Sequence, residues 1–232
     1  MRAWVMCSIR TMCRAVGVAG LVILGSAAAL AQDFSADILA LHGEASGLVA
    51  HLTAHDGKVR IETTDHPDGF FLTDAAKPSA YFVRPAAHVY MDAKQSSALT
   101  RLFIPVDLDT PCRQWQTMAR DAGIPGESDW LCERTGEETI DGRATVIFRV
   151  SPAGGRGYSA WIDSIRKFPL RIETDDGVTT ALEALKDGPQ SVSSFELPAN
   201  LARFRPEALI ELIKQSDVWV APPPDIAETA HP

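Results

Sequence analysis

The side chains able to do chemistry are scattered along this sequence. Histidines stand at 42, 51, 55, 66, 88 and 231. His51 and His55 are four apart, a spacing that can chelate a metal on a helix. Their neighbours read as a strand, where the pair shares a face at about 13 Å and cannot hold one ion. Carboxylates fall close together at Asp107 and Asp109, Glu137 and Glu138, and Asp175 and Asp176. Adjacent strand residues point to opposite faces, so Glu137 and Glu138 do not converge. Asp175 and Asp176 precede Gly177 and read as turn residues. Gly157-Tyr158-Ser159-Ala160-Trp161 begins like a nucleophile elbow, but it lacks the second glycine and the strand-to-helix turn. The Gly154–Gly157 loop lacks the third glycine and following helix of a nucleotide fingerprint. The chain is therefore expected not to be an enzyme: no catalytic residue, metal or cofactor is predicted.

Cys112 and Cys132 are read as a disulfide. Cys7 and Cys13 lie in an N-terminal stretch that looks removable, and a remaining pair in an exported protein is usually oxidised. Two thiols with no histidine between them make a poor metal set. Closing a loop of about 20 residues contributes on the order of 3 kcal/mol in the entropic model.

The more telling side chains are apolar. Phe70, Phe71, Tyr81, Phe82, Tyr90, Phe148, Trp161 and Phe168 fall in different predicted strands, and Phe103 and Trp115 in predicted helices. An ordinary core is one reading of them. The other is a curved sheet whose concave face and helical lid enclose an apolar cavity. On that reading Tyr81, Phe82, Tyr90, Phe148, Trp161 and Leu170 line the cavity, and Leu99, Leu102, Phe103, Trp115 and Met118 form the lid.

The elements that must position these residues are mostly short strands between turn signals. Phe34–Leu41, Gly47–Thr53, Lys58–Thr63, Phe70–Thr73, Tyr81–Arg84 and Val89–Asp92 suit an antiparallel meander. Asp56-Gly57 and Asp141-Gly142 are hairpin signals. Ser96–Phe103 and Cys112–Ala122 switch to helical spacing, with Pro111 suited to a first turn and Gly123 to the position after the last. Strands return at Trp130–Thr135, Ala144–Val150, Tyr158–Asp163, Phe168–Thr174 and Val178–Leu185, with a short one expected over Gln190–Leu197. Pro206 opens a predicted helix through Ile213. The fold class is mainly β (α+β): about ten or eleven antiparallel strands, curled or covered to hide an apolar face.

Arg2, Arg10 and Arg14, the apolar run Ala15–Leu30 and the small-x-small site Ala29-Leu30-Ala31 have the layout of a signal peptide cleaved after Ala31. The apolar run is short for a membrane span. The 232 residues carry 22 basic and 30 acidic side chains. Removing the three leader arginines leaves 19 basic against 30 acidic, net −11, in 201 residues. That surface repels nucleic acid, which is excluded as a partner. The organisation expected is a signal peptide over 1–31, one domain over 32–220 and a Pro-rich disordered tail over 221–232.

Trp161-Ile162-Asp163, Phe168-Pro169-Leu170-Arg171-Ile172-Glu173, Asp176-Gly177, Gly188-Pro189-Gln190 and Phe195-Glu196-Leu197-Pro198 follow one another in this order. The succession resembles the C-terminal half of the outer-membrane lipoprotein carrier (LolA-like) superfamily. Phe34-Ser35-Ala36-Asp37 and Gly57-Lys58-Val59 are similar to its N-terminal half. The Cys112–Cys132 segment, with Gly136-Glu137-Glu138 and Asp141-Gly142-Arg143, looks more like the family's uncharacterised exported members than its true carrier. The resemblance implies a periplasmic half-barrel wrapped around helices.

Together these readings predict a monomeric periplasmic binding or carrier protein, without catalysis. Its partner is expected to be a lipid-like ligand or an acylated protein held in an apolar half-barrel cavity, with a transient membrane-protein partner. The alternative is an envelope interaction or maintenance protein with the same fold and a filled core.

Overall fold

The structure, a computed structural model, describes residues 33–206 except 44, 94, 95, 125–129, 153 and 154. The expected signal peptide, the tail from 221, and the expected terminal helix beyond Pro206 lie outside the described residues.

Two antiparallel meanders make up the fold. The first runs through β1 (Phe34–His42), β2 (Ala45–His55), β3 (Lys58–Thr63), β4 (Phe70–Asp74), β5 (Ser79–Arg84) and β6 (Val89–Asp92). Helices α1 (Leu99–Leu102) and α2 (Pro111–Asp121) follow it. The second runs through β7 (Leu131–Ile140), β8 (Arg143–Ser151), β9 (Tyr158–Asp163), β10 (Pro169–Thr174) and β11 (Val178–Asp187). Pairing of β1 with β11 joins the meanders into one open sheet, ordered β12 (Ala202–Arg203), β6, β5, β4, β3, β2, β1, β11, β10, β9, β8, β7. β12 (Ala202–Arg203) is a two-residue parallel addition to β6. The result is a curved antiparallel half-barrel covered by short helices.

The hairpins form where the turn residues permit them. Asp56 and Gly57 have φ of 43° and 81°, and Asp141 and Gly142 have 47° and 75°. A two-residue turn with both central residues left-handed matches the twist of its flanking strands.

Alternation sends one row of each strand inward. Phe34, Ala36 and Ile38 of β1 pair with Ala54, Leu52 and Ala50 of β2, and all six are at most 1% exposed. Val59 and Ile61 continue the row on β3, and Phe148, Val150, Tyr158, Ala160 and Ile162 on β8 and β9. The helices press onto this face. α2 buries Pro111, Trp115, Met118 and Ala119 on one side, the spacing of an apolar helical stripe. It ends in a Schellman motif: Gly123 (φ 67°) donates to the Arg120 carbonyl, and the Ile124 N–H to that of Ala119, which satisfies two otherwise orphaned carbonyls.

The outer face of β4–β6 is covered as well. Phe70, Leu72 and Val83 form a second cluster, with Tyr81, Tyr90, Leu197 and Leu201 packed against it. The segment predicted as a strand over Gln190–Leu197 instead holds a 3-10 turn, Val192–Phe195, and runs across that face as a strap. Its apolar residues cap a cluster already paired edge to edge, so they serve as cover rather than as a further ladder. With both faces hidden, Phe70, Phe71, Leu72 and Thr73 of β4 are buried in succession.

Candidate functional site

The lid meets the sheet at Trp115. Its indole N–H donates to the Leu102 carbonyl at 3.2 Å, which ties α2 to α1. Its ring stands edge-on to Tyr158 of β9, with centroids 5.5 Å apart. The disulfide between Cys112 and Cys132, with Cα atoms 5.6 Å apart, fastens the start of α2 to the edge strand β7.

The concave face is filled. Phe34 and Phe168 make a T-shaped pair at 5.1 Å, and Phe103, Ile104 and Trp115 are at most 1% exposed. The half-barrel's interior, expected to hold a ligand on one reading and to be a filled core on the other, is occupied by the lid's own side chains.

Room remains where the lid meets the β8–β9 connection. A cleft of about 280 Å³ lies between Leu102, Trp115, Ala119 and Ile124 on the lid side and Trp130, Pro152 and Tyr158 on the other. Arg101 and Arg156 also line it. Arg101 is half-buried, and desolvation lowers its guanidinium from the ordinary value. Arg156 is 76% exposed in its side chain and pairs with Asp176 at 2.7 Å. The Tyr158 hydroxyl is buried and has no hydrogen-bond partner among the described residues. Burial pushes its phenol well above the usual range, so it keeps its proton and remains a donor. An apolar slot flanked by two guanidiniums can take a hydrocarbon body with a negatively charged end.

A second cleft, of about 380 Å³, lies over Phe71, Phe82 and Met91, with His66, Ser96 and the ion-paired Asp68 and Arg84 around it.

The residues expected to line the cavity divide by strand parity. Phe148 and Leu170 are buried in the central cluster, and Phe82 packs against that cluster and meets Phe71 at a tilt, with ring centroids 4.8 Å apart. Phe103, Trp115 and Met118 are buried under the lid, with Leu99 and Leu102 partly so. Tyr81, Tyr90 and Trp161 do not join them. Tyr81 pairs across the ladder with Leu72, and Tyr90 with Val83, in the outer row. Trp161 lies in the row of Ile147 and Arg171; its indole donates to Glu138 Oε2 at 2.6 Å, and Arg171 lies 5.2 Å above its ring. These three are corrected to the convex face, because each is an odd number of residues from its strand's inward positions.

Tyr158, Arg101, Ile124 and Trp130 were not foreseen as site residues. A signal for Tyr158 was present: it lies two residues before Ala160 and two rungs from the Phe148 pairing. The remaining chemical groups stay apart. His51 and His55 each bond a different carboxylate, Asp37 at 2.9 Å and Asp33 at 2.8 Å. Ser159 is a mid-strand residue of β9, paired with Arg149 and Glu173. Among the described residues no group of three or more His, Cys, Asp or Glu is placed to hold a metal.

No family model and no curated protein matches the sequence. Solved structures do. The solved structures similar to this chain include a LolA superfamily protein. That protein, from Nitrosomonas europaea, is 10% identical over 71% of this chain and 90% of its own, with a TM-score of 0.35. An uncharacterised conserved protein from Thermus thermophilus is 12% identical over 74% of this chain and 90% of its own, at 0.41. A chain of the Pseudomonas aeruginosa MucA/MucB complex is 16% identical over 72% of this chain, at 0.39. This chain spans 56% of that one's length.

Proposed function

We propose that this is a non-catalytic binding or carrier protein of the periplasm, and that it holds a lipid-like or acylated ligand in the cleft between the lid and the β8–β9 connection. The observation that carries the reading is the cleft itself, with apolar walls from Leu102, Trp115, Ile124 and Trp130 and guanidiniums from Arg101 and Arg156. A hydrocarbon chain is desolvated by those walls, and an anionic end meets the arginines. The leader-like N-terminus and the Cys112–Cys132 disulfide support an oxidising, extracytoplasmic compartment. A longer chain would need the lid to move off the concave face, and the disulfide limits how far the start of α2 can travel.

The filled concave face favours a second reading, an envelope interaction protein with a solid core. Native mass spectrometry of the mature protein purified from periplasm, followed by lipid extraction, separates the two. A co-purifying acylated species supports the carrier and names its cargo. A clean apo mass, with no quenching of tryptophan fluorescence by added fatty acid or phospholipid, moves the assignment to the interaction protein.

A further inference from the structure

An antiparallel sheet with one covered face ordinarily turns polar side chains to the other. One rung of the convex face departs from that rule. Leu48 of β2, Leu39 of β1, Ala181 of β11, Arg171 of β10, Trp161 of β9 and Ile147 of β8 are successive cross-strand partners. Leu48 is 52% exposed, and the other five are partly exposed. Arg171 does not break the row, because its guanidinium stands over the Trp161 ring and 3.6 Å from Glu138. The rungs on either side are polar: Ser159, Glu173 and Thr179 on one, Asp37 and Glu183 on the other. No residue of the row lines the cleft.

We propose that this row is a docking surface for a basic amphipathic helix of a protein partner, its apolar stripe on Leu39, Ala181, Trp161 and Ile147 and its cations beside Glu173 and Glu183. Width selects a helix. The row is one residue wide, and the next rungs on the same face, about 7 Å away, are polar. A helix presents such a narrow stripe, whereas a packed sheet brings apolar residues to every rung. Length agrees: from β1 to β8 the row crosses β11, β10 and β9, about 19 Å, which a helix of about 13 residues spans. Charge selects the sign. Arg149 is held by Asp175 at 2.6 Å and Arg171 lies against Glu138, while Glu173 and Glu183 are exposed and flank the row from opposite sides. The whole chain carries 30 acidic against 22 basic side chains. A second copy docking by the same face would set acidic flank against acidic flank, and an anionic membrane would meet the same repulsion.

The test titrates the mature, disulfide-bonded protein into a fluorescently labelled Leu/Lys peptide with one apolar helical stripe, and reads anisotropy. The control peptide has the same pattern with Glu for Lys. Wild-type protein is expected to bind the Leu/Lys peptide and not the Leu/Glu one. Glu173→Lys/Glu183→Lys is expected to weaken binding roughly ten-fold. Asp109→Lys/Glu196→Lys makes the same change of charge at exposed positions off the row and is expected to change affinity by less than about two-fold. Ile147→Thr, which suits a strand and leaves the charges alone, is expected to weaken binding as well. Equal losses in the two charge variants reduce the effect to net charge and overturn the proposal. Full affinity in Ile147→Thr overturns it too, since the apolar row would then be idle. So does failure of wild type to bind the Leu/Lys peptide. Sedimentation with phosphatidylglycerol vesicles that Ile147→Thr abolishes would make the row a membrane contact instead, and would overturn the helix as its occupant.

Discussion

Trp115 meets Tyr158 edge to face, with 5.5 Å between ring centroids and 82° between ring planes. This contact joins the lid to the sheet, since Trp115 sits on α2 and Tyr158 begins β9. The same contact borders the cleft, so lid packing and access to the cleft depend on one pair of rings.

Trp115→Ala should therefore be costly. It removes the largest fully buried side chain among the described residues, and such truncations cost about 3–5 kcal/mol. Trp115→Phe keeps most of the packing and loses the hydrogen bond to Leu102, so it should cost less. Urea unfolding followed by circular dichroism reads both. Equal midpoints for Trp115→Ala and wild type would mean that α2 is not docked in solution.

The disulfide carries the next expectation. Cys112 and Cys132 are separated by 20 positions, and opening a loop of that size should lower stability by about 3 kcal/mol. Cys112→Ala/Cys132→Ala should shift the urea midpoint down, and reduction of wild type should give the same shift. It should also accelerate ligand exchange, because the start of α2 is released from β7. A double variant as stable as wild type would show that lid packing alone holds α2 in place.

Much of the fold is legible in the sequence because turn chemistry is local. Lys58–Thr63, Val89–Asp92 and Tyr158–Asp163 are strands with the bounds expected, each set by flanking Gly, Asp or Pro signals. Trp130–Thr135 extends instead to Ile140 as β7, because pairing with β8 continues past the register shift at Thr135, between Arg134 and Gly136. The faces were less legible. Tyr81 and Phe82 are equally apolar in sequence, and their assignment depends on what lies above each face. The strap that covers Phe70, Leu72 and Val83 comes from more than 100 residues further along the chain, and no local pattern announces it. The cleft escaped for the same reason, since Arg101, Trp130 and Tyr158 converge only once the lid has docked.

Acid should destabilise the protein through the corner between β9 and β10. Asp163 is 3% exposed in its side chain; its Oδ1 accepts the Ile165 and Arg166 backbone N–H groups, and its Oδ2 accepts Arg166 Nη1 at 2.8 Å. The same guanidinium hydrogen-bonds Asp187, which holds the Asp187 carboxyl below the usual carboxylate range. A carboxyl depressed in the folded state contributes stability that is complete above its unfolded value, about 4, and is lost as pH falls through the folded one. Unfolding free energy should thus be flat from about pH 8 to 5 with respect to this group and fall below about 4. Arg166→Ala should flatten that acid limb. It should also cost about 3 kcal/mol at neutral pH, by stranding the buried Asp163. An unchanged acid limb in the variant would rule out Arg166 as its source.

The two faces of the sheet should separate binding from stability. Tyr81 and Tyr90 meet at 5.5 Å on the outer face, beneath the strap, whereas Phe148 belongs to the inner cluster with Trp115 and Tyr158. Tyr81→Ala and Phe195→Ala should lower the melting temperature, because each uncovers apolar surface between the strap and the sheet. Neither should alter fatty-acid affinity more than about two-fold, a difference of about 0.4 kcal/mol, because no atom of either residue lines the cleft. Phe195 does press on His55, with ring centroids 5.5 Å apart, and His55 is held by Asp33 just before β1. Truncating Phe195 should therefore loosen the start of β1 as well as the strap, which hydrogen exchange at the amides of Phe34 and Ala36 would register. If Tyr81→Ala abolished ligand binding with the fold intact, the ligand would belong on the convex face and the assignment of the cleft would be wrong.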